Sequence, residues 1–176
     1  VEYTLISKSL LKKEDYDAGL KDYLHHFLNL QDYKVLHEEF GSIPMTNYPF
    51  LQNAGAIVYM GTAGRQTRAS SGYTFQFIQK QSAALVNSLL QDGIPLAVNG
   101  FSNKRANWYD GILLRILSEG RLPGDEIFST LFRKNSAIDI LQFLDNETSL
   151  LQELKIISVL PKGVFVKAAL RQVFAQ

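Results

Sequence analysis

Ile57-Val-Tyr-Met-Gly61-Thr-Ala-Gly64-Arg-Gln-Thr-Arg68-Ala-Ser-Ser-Gly72-Tyr-Thr-Phe75-Gln-Phe-Ile-Gln79 decides how the rest of the chain is read. It opens with an apolar run of strand type, Ile57 to Met60. A loop rich in Thr, Ser and Arg follows, bracketed by Gly61, Gly64 and Gly72. From Tyr73 a helix pattern takes over, with Phe75, Ile78, Ser82, Leu85, Val86 and Leu89 on one face. A strand, a glycine loop and a helix amino terminus together accept anionic or electron-rich groups. The first-turn N–H groups have no intrahelical partner, and the macrodipole adds positive potential. Arg65 and Arg68 strengthen that field, and no acidic residue between Met60 and Gln79 cancels it. The same pattern also serves as a plain tight connection that needs residues with φ > 0.

Moving outward from this stretch, the upstream chain alternates strand and helix signals. Val1 to Ser7 is rich in β-formers and predicts a strand. Glu14 to Leu28 predicts an amphipathic helix, with Tyr16, Leu20, Leu24 and Phe27 along one stripe and acids in the first turn. The adjacent His25 and His26 point about 100° apart on such a helix. They cannot chelate one metal from a single face, so they read as surface residues, and no metal site is expected. Tyr33 to Phe40 predicts a strand, closed by a turn at Gly41 and Pro44, and Asn47 to Ala56 a connection.

Downstream the pattern is helical. The central helix stops near Asp92-Gly93, and Ile94 to Arg105 reads as loop. Trp108 to Leu117 is a helix halted by Gly120. Asp125 is placed to cap a helix over Glu126 to Lys134, and Ser136 to cap the next. Ser149-Leu-Leu-Gln152 has the capping-box form, and Gly163 to Gln176 is a last apolar-rich helix. The chain thus divides into a strand-bearing part, 1–98, and a helical part, 99–176, within an α/β (α+β) class.

Composition narrows the function classes. Over 176 residues, 46% are hydrophobic and 20% charged, which is a globular rather than a disordered balance. Residues 1–40 carry five Lys/Arg against eight Asp/Glu, and residues 60–121 carry seven against three. That basic excess falls on and after the glycine loop but is too sparse for a nucleic-acid footprint. With no cysteine there is no disulfide framework, thiol nucleophile or Cys-based metal site. No stretch approaches the roughly 18 apolar residues of a spanning helix, and no signal peptide opens the chain. A cytoplasmic address is the expectation.

Several strings together resemble the lycopene cyclase family, FAD-dependent carotenoid enzymes distantly related in fold to flavin hydroxylases. Gly61-Thr-Ala-Gly64 with Thr67-Arg-Ala-Ser-Ser-Gly-Tyr-Thr-Phe75 is similar to the family's second flavin-contacting segment. Val1-Glu2-Tyr3-Thr4 fits its short acidic motif, and Gly41-Ser-Ile-Pro-Met-Thr46, preceded by Glu38-Glu39, is a second family-like motif. In the tail, Trp108-Tyr-Asp110, Gly124 to Asn135 and Phe143-Leu-Asp-Asn-Glu-Thr-Ser149 resemble the carboxy-terminal signature, closest to the bacterial monomeric branch. Two departures stand in the loop. Many family members have Gly where Arg65 stands and Pro where Ala69 stands, which leaves the loop path less constrained and turns Arg65 toward solvent. The chain starts at Val1 and holds no Gly-x-Gly-x-x-Gly, so it reads as the carboxy-terminal portion of a flavin-hydroxylase-like FAD-binding fold, with the dinucleotide-binding segment missing.

The resemblance implies an isomerisation in which the linear end groups of lycopene, or a related linear carotene, become β-ionone rings with no net redox change. Glu2 is implied as the catalytic acid, kept protonated by apolar surroundings, since a glutamic acid with the ordinary pKa of about 4.3 is ionised at pH 7. Glu39 is a second carboxylate, as proton acceptor or structural partner of Glu2. Gly61, Thr62, Ala63, Gly64, Gly72, Tyr73 and Thr74 are the implied contacts to reduced FAD, with NAD(P)H as external reductant. The aromatic-rich tail is expected to wall an apolar tunnel and to dock the protein peripherally on the inner face of the membrane. Two other readings fit parts of the chain: a redox flavoprotein of the same superfamily, such as a prenyl-lipid reductase or monooxygenase, and an inactive fragment that binds apolar ligands or a membrane face.

Overall fold

The computed structural model describes residues 1–95 and 104–173. They are mostly helical, with one small antiparallel sheet, which is compatible with an α+β fragment. Two compact units divide between Ser42 and Ile43, a different line from the compositional one at residue 98.

The first unit, Val1–Ser42, is organised on helix α1 (Lys13–Asp22), which runs into a wider π-helical turn over Tyr23–Phe27. Asn29, with φ 55°, lies just beyond that turn. The two strands expected in this unit do not form: Val1 to Ser7 and Tyr33 to Phe40 have no regular structure. An extended segment becomes a strand only when a neighbour takes its N–H and C=O groups, and these two segments meet α1 through side chains instead. The Tyr3 ring stands edge-on to Tyr16 with centroids 6.5 Å apart, and Tyr16 meets Phe40 at 5.6 Å. Gly19 makes room for this, because a Cβ there would lie 2.5 Å from the Tyr3 ring. Lys13 joins Glu38 at 2.6 Å and Asp17 at 3.0 Å. Those hydrogen bonds, to Glu38 first and Asp17 second, raise the pKa of its ammonium. No residue of this unit is buried.

The second unit, Ile43–Gln176, holds a two-residue hairpin, β1 (Asn53–Ala54) and β2 (Ile57–Val58), with Asn53 opposite Val58 and Ala54 opposite Ile57. Gly55 turns it with φ 58°, the left-handed first position such a turn requires. The expected strand Ile57 to Met60 therefore shrinks to two residues, and its partner comes from the stretch that read as connection. Helix α2 (Phe75–Asp92) ends on Gly93 in the left-handed conformation, the usual glycine stop.

Helices α3 (Lys104–Ser118), α4 (Gly124–Lys134), α5 (Ala137–Leu144), α6 (Leu150–Ile157) and α7 (Lys162–Val173) complete the unit. Their core is Ile112, Ile116, Ile127, Leu131, Ile140, Ile156, Leu160 and Ala168. The expected caps are present at Ser136, which accepts from the Asp139 amide, and in the Ser149–Gln152 capping box. Asp125 is not a cap: Pro123 occupies that position, and Asp125 lies in the first turn of α4, where the dipole still favours its charge. Lys104 and Arg105 are helical rather than loop. The rest of the loop expected over 94–105, from 96 to 103, lies outside the described residues, as do 174–176 of the last helix. Where α3 meets α7, Gly111 admits Gln172, whose Nε2 would lie 2.7 Å from an added Cβ.

The face of α2 also departs from expectation. Its buried residues are Phe77, Gln81 and Ser88, while Phe75, Val86 and Leu89 of the expected apolar stripe are exposed. At its amino-terminal end the helix meets the loop that precedes it, where Ile78 lies 3.6 Å from the position a Cβ of Gly61 would take.

Candidate functional site

The loop Gly61–Gly72 is shaped first by its own backbone. Gly61 and Gly72 have φ of 64° and 73°, which only glycine adopts without a Cβ penalty. Gly64 is required for a different reason, since a Cβ there would sit 2.1 Å from the Tyr59 carbonyl oxygen. Arg65 follows with φ 61° and is exposed. That left-handed position gives a backbone reason for the glycine that the resemblance leads one to expect there. The amides of Gly64 and Gln66 both donate to the Gly61 carbonyl, at 3.1 and 3.0 Å, and the Gly61 amide donates to Gln66 Oε1 at 2.7 Å. Gln66 is buried, and its Nε2 has no partner among the described residues. The hydroxyls of Thr62, Thr67 and Thr74 form a chain with 3.0 Å links, and Thr74 Oγ1 also donates to the Gly72 carbonyl.

Arg68 is the centre of the site. Its side chain is 6% exposed and that of Asp110, on α3, 3%. The guanidinium donates through Nε to both Asp110 oxygens at 3.2 and 3.1 Å, and through Nη2 to Oδ1 at 2.7 Å. Ser70 Oγ donates to the same Oδ1 at 2.7 Å. Nη1 turns to the end of α5, donating to the carbonyls of Phe143 and Leu144 and to Asn146 Oδ1 at 2.8 Å. The guanidinium lies 5.6 Å from the Phe143 ring centre, a cation–π distance. A buried charge is tolerable only when it is paired and its donors are used, and here both conditions hold. This corrects the electrostatic expectation: Arg68 does not add to the field at the helix terminus, because Asp110 neutralises it from a distance of 42 residues in sequence.

A cleft of ≈ 610 Å³ opens beside the loop. Thr62, Arg65 and Thr67 wall one side, Phe77 and Trp108 supply aromatic surface, and Tyr48 and Phe50 come from the chain before the hairpin. Arg105, also on the wall, is held by Glu153, a buried carboxylate 3.0 Å from its Nη2 that also accepts from the Tyr109 hydroxyl at 3.1 Å. Burial, with the Glu153 hydrogen bond second, raises the Tyr109 phenol above its ordinary pKa. Burial raises Tyr73 in the same way, with Asp145 second.

Of the expected flavin contacts, Thr62 walls the cleft. Ala63 is exposed, Gly64 is buried under the Tyr59 carbonyl, and Gly61 begins the loop. Gly72, Tyr73 and Thr74 lie together where the loop enters α2, and the Thr74 hydroxyl donates to the Gly72 carbonyl. Glu2 and Glu39 belong to the first unit. Both are exposed, and Glu2 accepts from the Thr4 hydroxyl. Their sequence neighbours Tyr3 and Phe40 pack on the same Tyr16 ring, so the two acidic segments share one support. His26 is exposed and bonds Asp22, and no group of three metal-binding side chains occurs among the described residues. Sequence reasoning missed Asp110 and Glu153 as buried anchors. The available signal was a carboxylate inside a helix otherwise buried by Ala106, Ile112 and Ile116, which demands a countercharge from elsewhere.

A family model described as Lycopene cyclase protein matches residues 1–171. No curated protein and no solved structure matches the chain.

Proposed function

The chain belongs to the lycopene cyclase family, and from that premise we propose that the intact protein converts the linear end groups of lycopene, or a related linear carotene, to β-ionone rings by acid catalysis. Reduced FAD is bound during this reaction, in a flavin-hydroxylase-like fold, with NAD(P)H as external reductant and no net redox change. The observation that supports the reading is the extent of the match, whose span of residues 1–171 includes Glu2, the glycine loop and most of the tail.

The residues of the loop fit a flavin. Thr74 precedes α2 without capping it, its hydroxyl being used by Gly72 and Thr67. Among the described residues the Phe75 and Gln76 amides therefore keep their donors for an electron-rich ring edge. Gly61, Thr62, Ala63, Gly64, Gly72, Tyr73 and Thr74 would hold the ring system, with Phe77 and Trp108 offering aromatic surface. The reduced flavin, when bound, supplies negative charge that stabilises passing carbocations.

Glu2 carries the proton. Its carboxyl protonates the terminal alkene, the neighbouring double bond closes on the tertiary cation, and Glu39 takes the ring proton. Glu2 stands among exposed apolar side chains, Val1, Leu5 and Ile6. A carotene laid over them strips water from the carboxyl and favours its neutral form. The test is carotenoid chromatography from lycopene-accumulating bacteria expressing the intact gene. Wild type yields a cyclic carotene, while Glu2→Gln lowers conversion by at least ~100-fold, the lower range for a general acid. Activity retained within about tenfold would remove Glu2 from this role. Consumption of reductant in step with product would turn the reading toward a redox flavoprotein.

Peripheral docking on the inner face of the membrane completes the proposal. No helix among the described residues is long and apolar enough to cross a membrane. Ile138 and Leu141 on α5 and Leu150, Leu151 and Leu154 on α6 are exposed on helices that pack together, with Lys155 beside them. Apolar surface next to cations suits an anionic bilayer. Leu151→Asp/Leu154→Asp is expected to abolish flotation of the intact protein with anionic vesicles.

A further inference from the structure

The two family-like strings of the tail, Trp108-Tyr-Asp110 and Phe143-Leu-Asp-Asn-Glu-Thr-Ser149, converge on one neighbour. Asp110 takes Arg68 and Ser70. The α5–α6 turn then presents Asn146 to Arg68 and Glu147 to Lys80, the last pair at 2.6 Å. Two successive polar residues of one turn thus hold the loop and the second turn of α2. Neither string supplies these groups to an apolar tunnel.

We propose that the tail strings are a latch that sets the shape of the glycine loop, with Arg68 and Asp110 as positioning residues for the ligand the loop holds; this rests on the flavin reading given above for the identity of that ligand. The loop has reason to need one. Arg65 is left-handed, Gly61 and Gly72 are left-handed, and no strand ladder runs through residues 61–72. Glycine-rich backbone has many alternatives when unsupported. A planar guanidinium bound on both edges removes them, because its donors fix direction as well as distance. Lysine, with one point charge, cannot span Asp110 and the end of α5 together.

The experiment is amide hydrogen exchange on the intact protein, followed residue by residue, beside a flavin titration. Asp110→Asn keeps the shape of the side chain and removes the charge. The expected result is exchange of the Gly61–Gly72 amides at least ~10-fold faster, beyond any change in α4 and α6, as local opening allows. Flavin binding weakens by a similar ~10-fold at an unchanged folded fraction. Asn146→Gly keeps the left-handed backbone at φ 60° and removes one acceptor, so a smaller effect of about threefold is expected from a single lost hydrogen bond. It also serves if Asp110→Asn does not fold. Unchanged loop exchange in both variants overturns the latch, and so does equal acceleration in α4 and α6. A loosened loop with unaltered flavin affinity overturns the positioning role. If the wild-type protein takes no flavin, the cofactor reading falls, and the exchange result alone decides the latch.

Discussion

The units on either side of Ser42 solve the same problem by opposite means. Each must present polar groups on backbone that lacks long strands. Ile43–Gln176 does it with burial: a core of isoleucines and leucines, and a guanidinium that lies with its Asp110 partner almost wholly out of water. Val1–Ser42 has no buried residue and relies on rings packed edge-on against Tyr16 of α1, with Lys13 bridging Asp17 and Glu38 on the surface. Buried pairs are geometrically demanding, and exposed ones contribute little. The difference teaches that the loop takes its shape from buried partners, whereas the acidic segments are held by surface contacts alone.

The largest effect that separates the units is expected at Ile116, which is fully buried. Ile116→Ala in the intact protein should cost ~2–5 kcal/mol in urea unfolding, the range for truncating a core isoleucine. A loss below ~1 kcal/mol would mean that this core relaxes as readily as the first unit.

How much of this was legible in the sequence depended on distance along the chain. The caps at Ser136 and Ser149 were readable because donor and acceptor lie three residues apart. So was the helix over Glu14 to Leu28, although its π-helical end was not. The strands expected at Val1–Ser7 and Tyr33–Phe40 failed because alternation describes a surface and not a partner. The inward face of α2 was misread: Phe77, Gln81 and Ser88 are buried there. Asp110 carried a signal of burial, but nothing local named Arg68, 42 residues away, as its partner.

A middle-sized effect is expected at Gly64. Gly64→Ala brings a methyl group against the Tyr59 carbonyl, and backbone cannot yield as a side-chain tip does. About 1–3 kcal/mol of destabilisation is expected, as for other overpacked sites, with increased proteolysis between Tyr59 and Gly72 as the local readout. A neutral result would show the loop to be as accommodating as the first unit.

The smallest effect belongs to Lys13, whose side chain is exposed. Lys13→Met should leave the melting temperature within the scatter of replicate scans at any salt concentration. A salt-dependent drop would mean that surface charge, and not the Tyr3–Tyr16–Phe40 cluster, holds Val1–Ser42 together.

The contacts of Arg68 span 42, 75 and 78 residues of chain. Separations of that size lengthen the search during folding, because the entropy of closing such loops is lost before any contact rewards it. The sequential pairs α4–α5 and α5–α6 meet over short stretches of chain, whereas the guanidinium reaches its partners only once α3 and the end of α5 both stand beside the loop. Interactions absent from the folding transition state act on the unfolding rate. The arginine is therefore a brake on opening rather than a seed of folding, and its contribution is counted in the lifetime of the folded molecule.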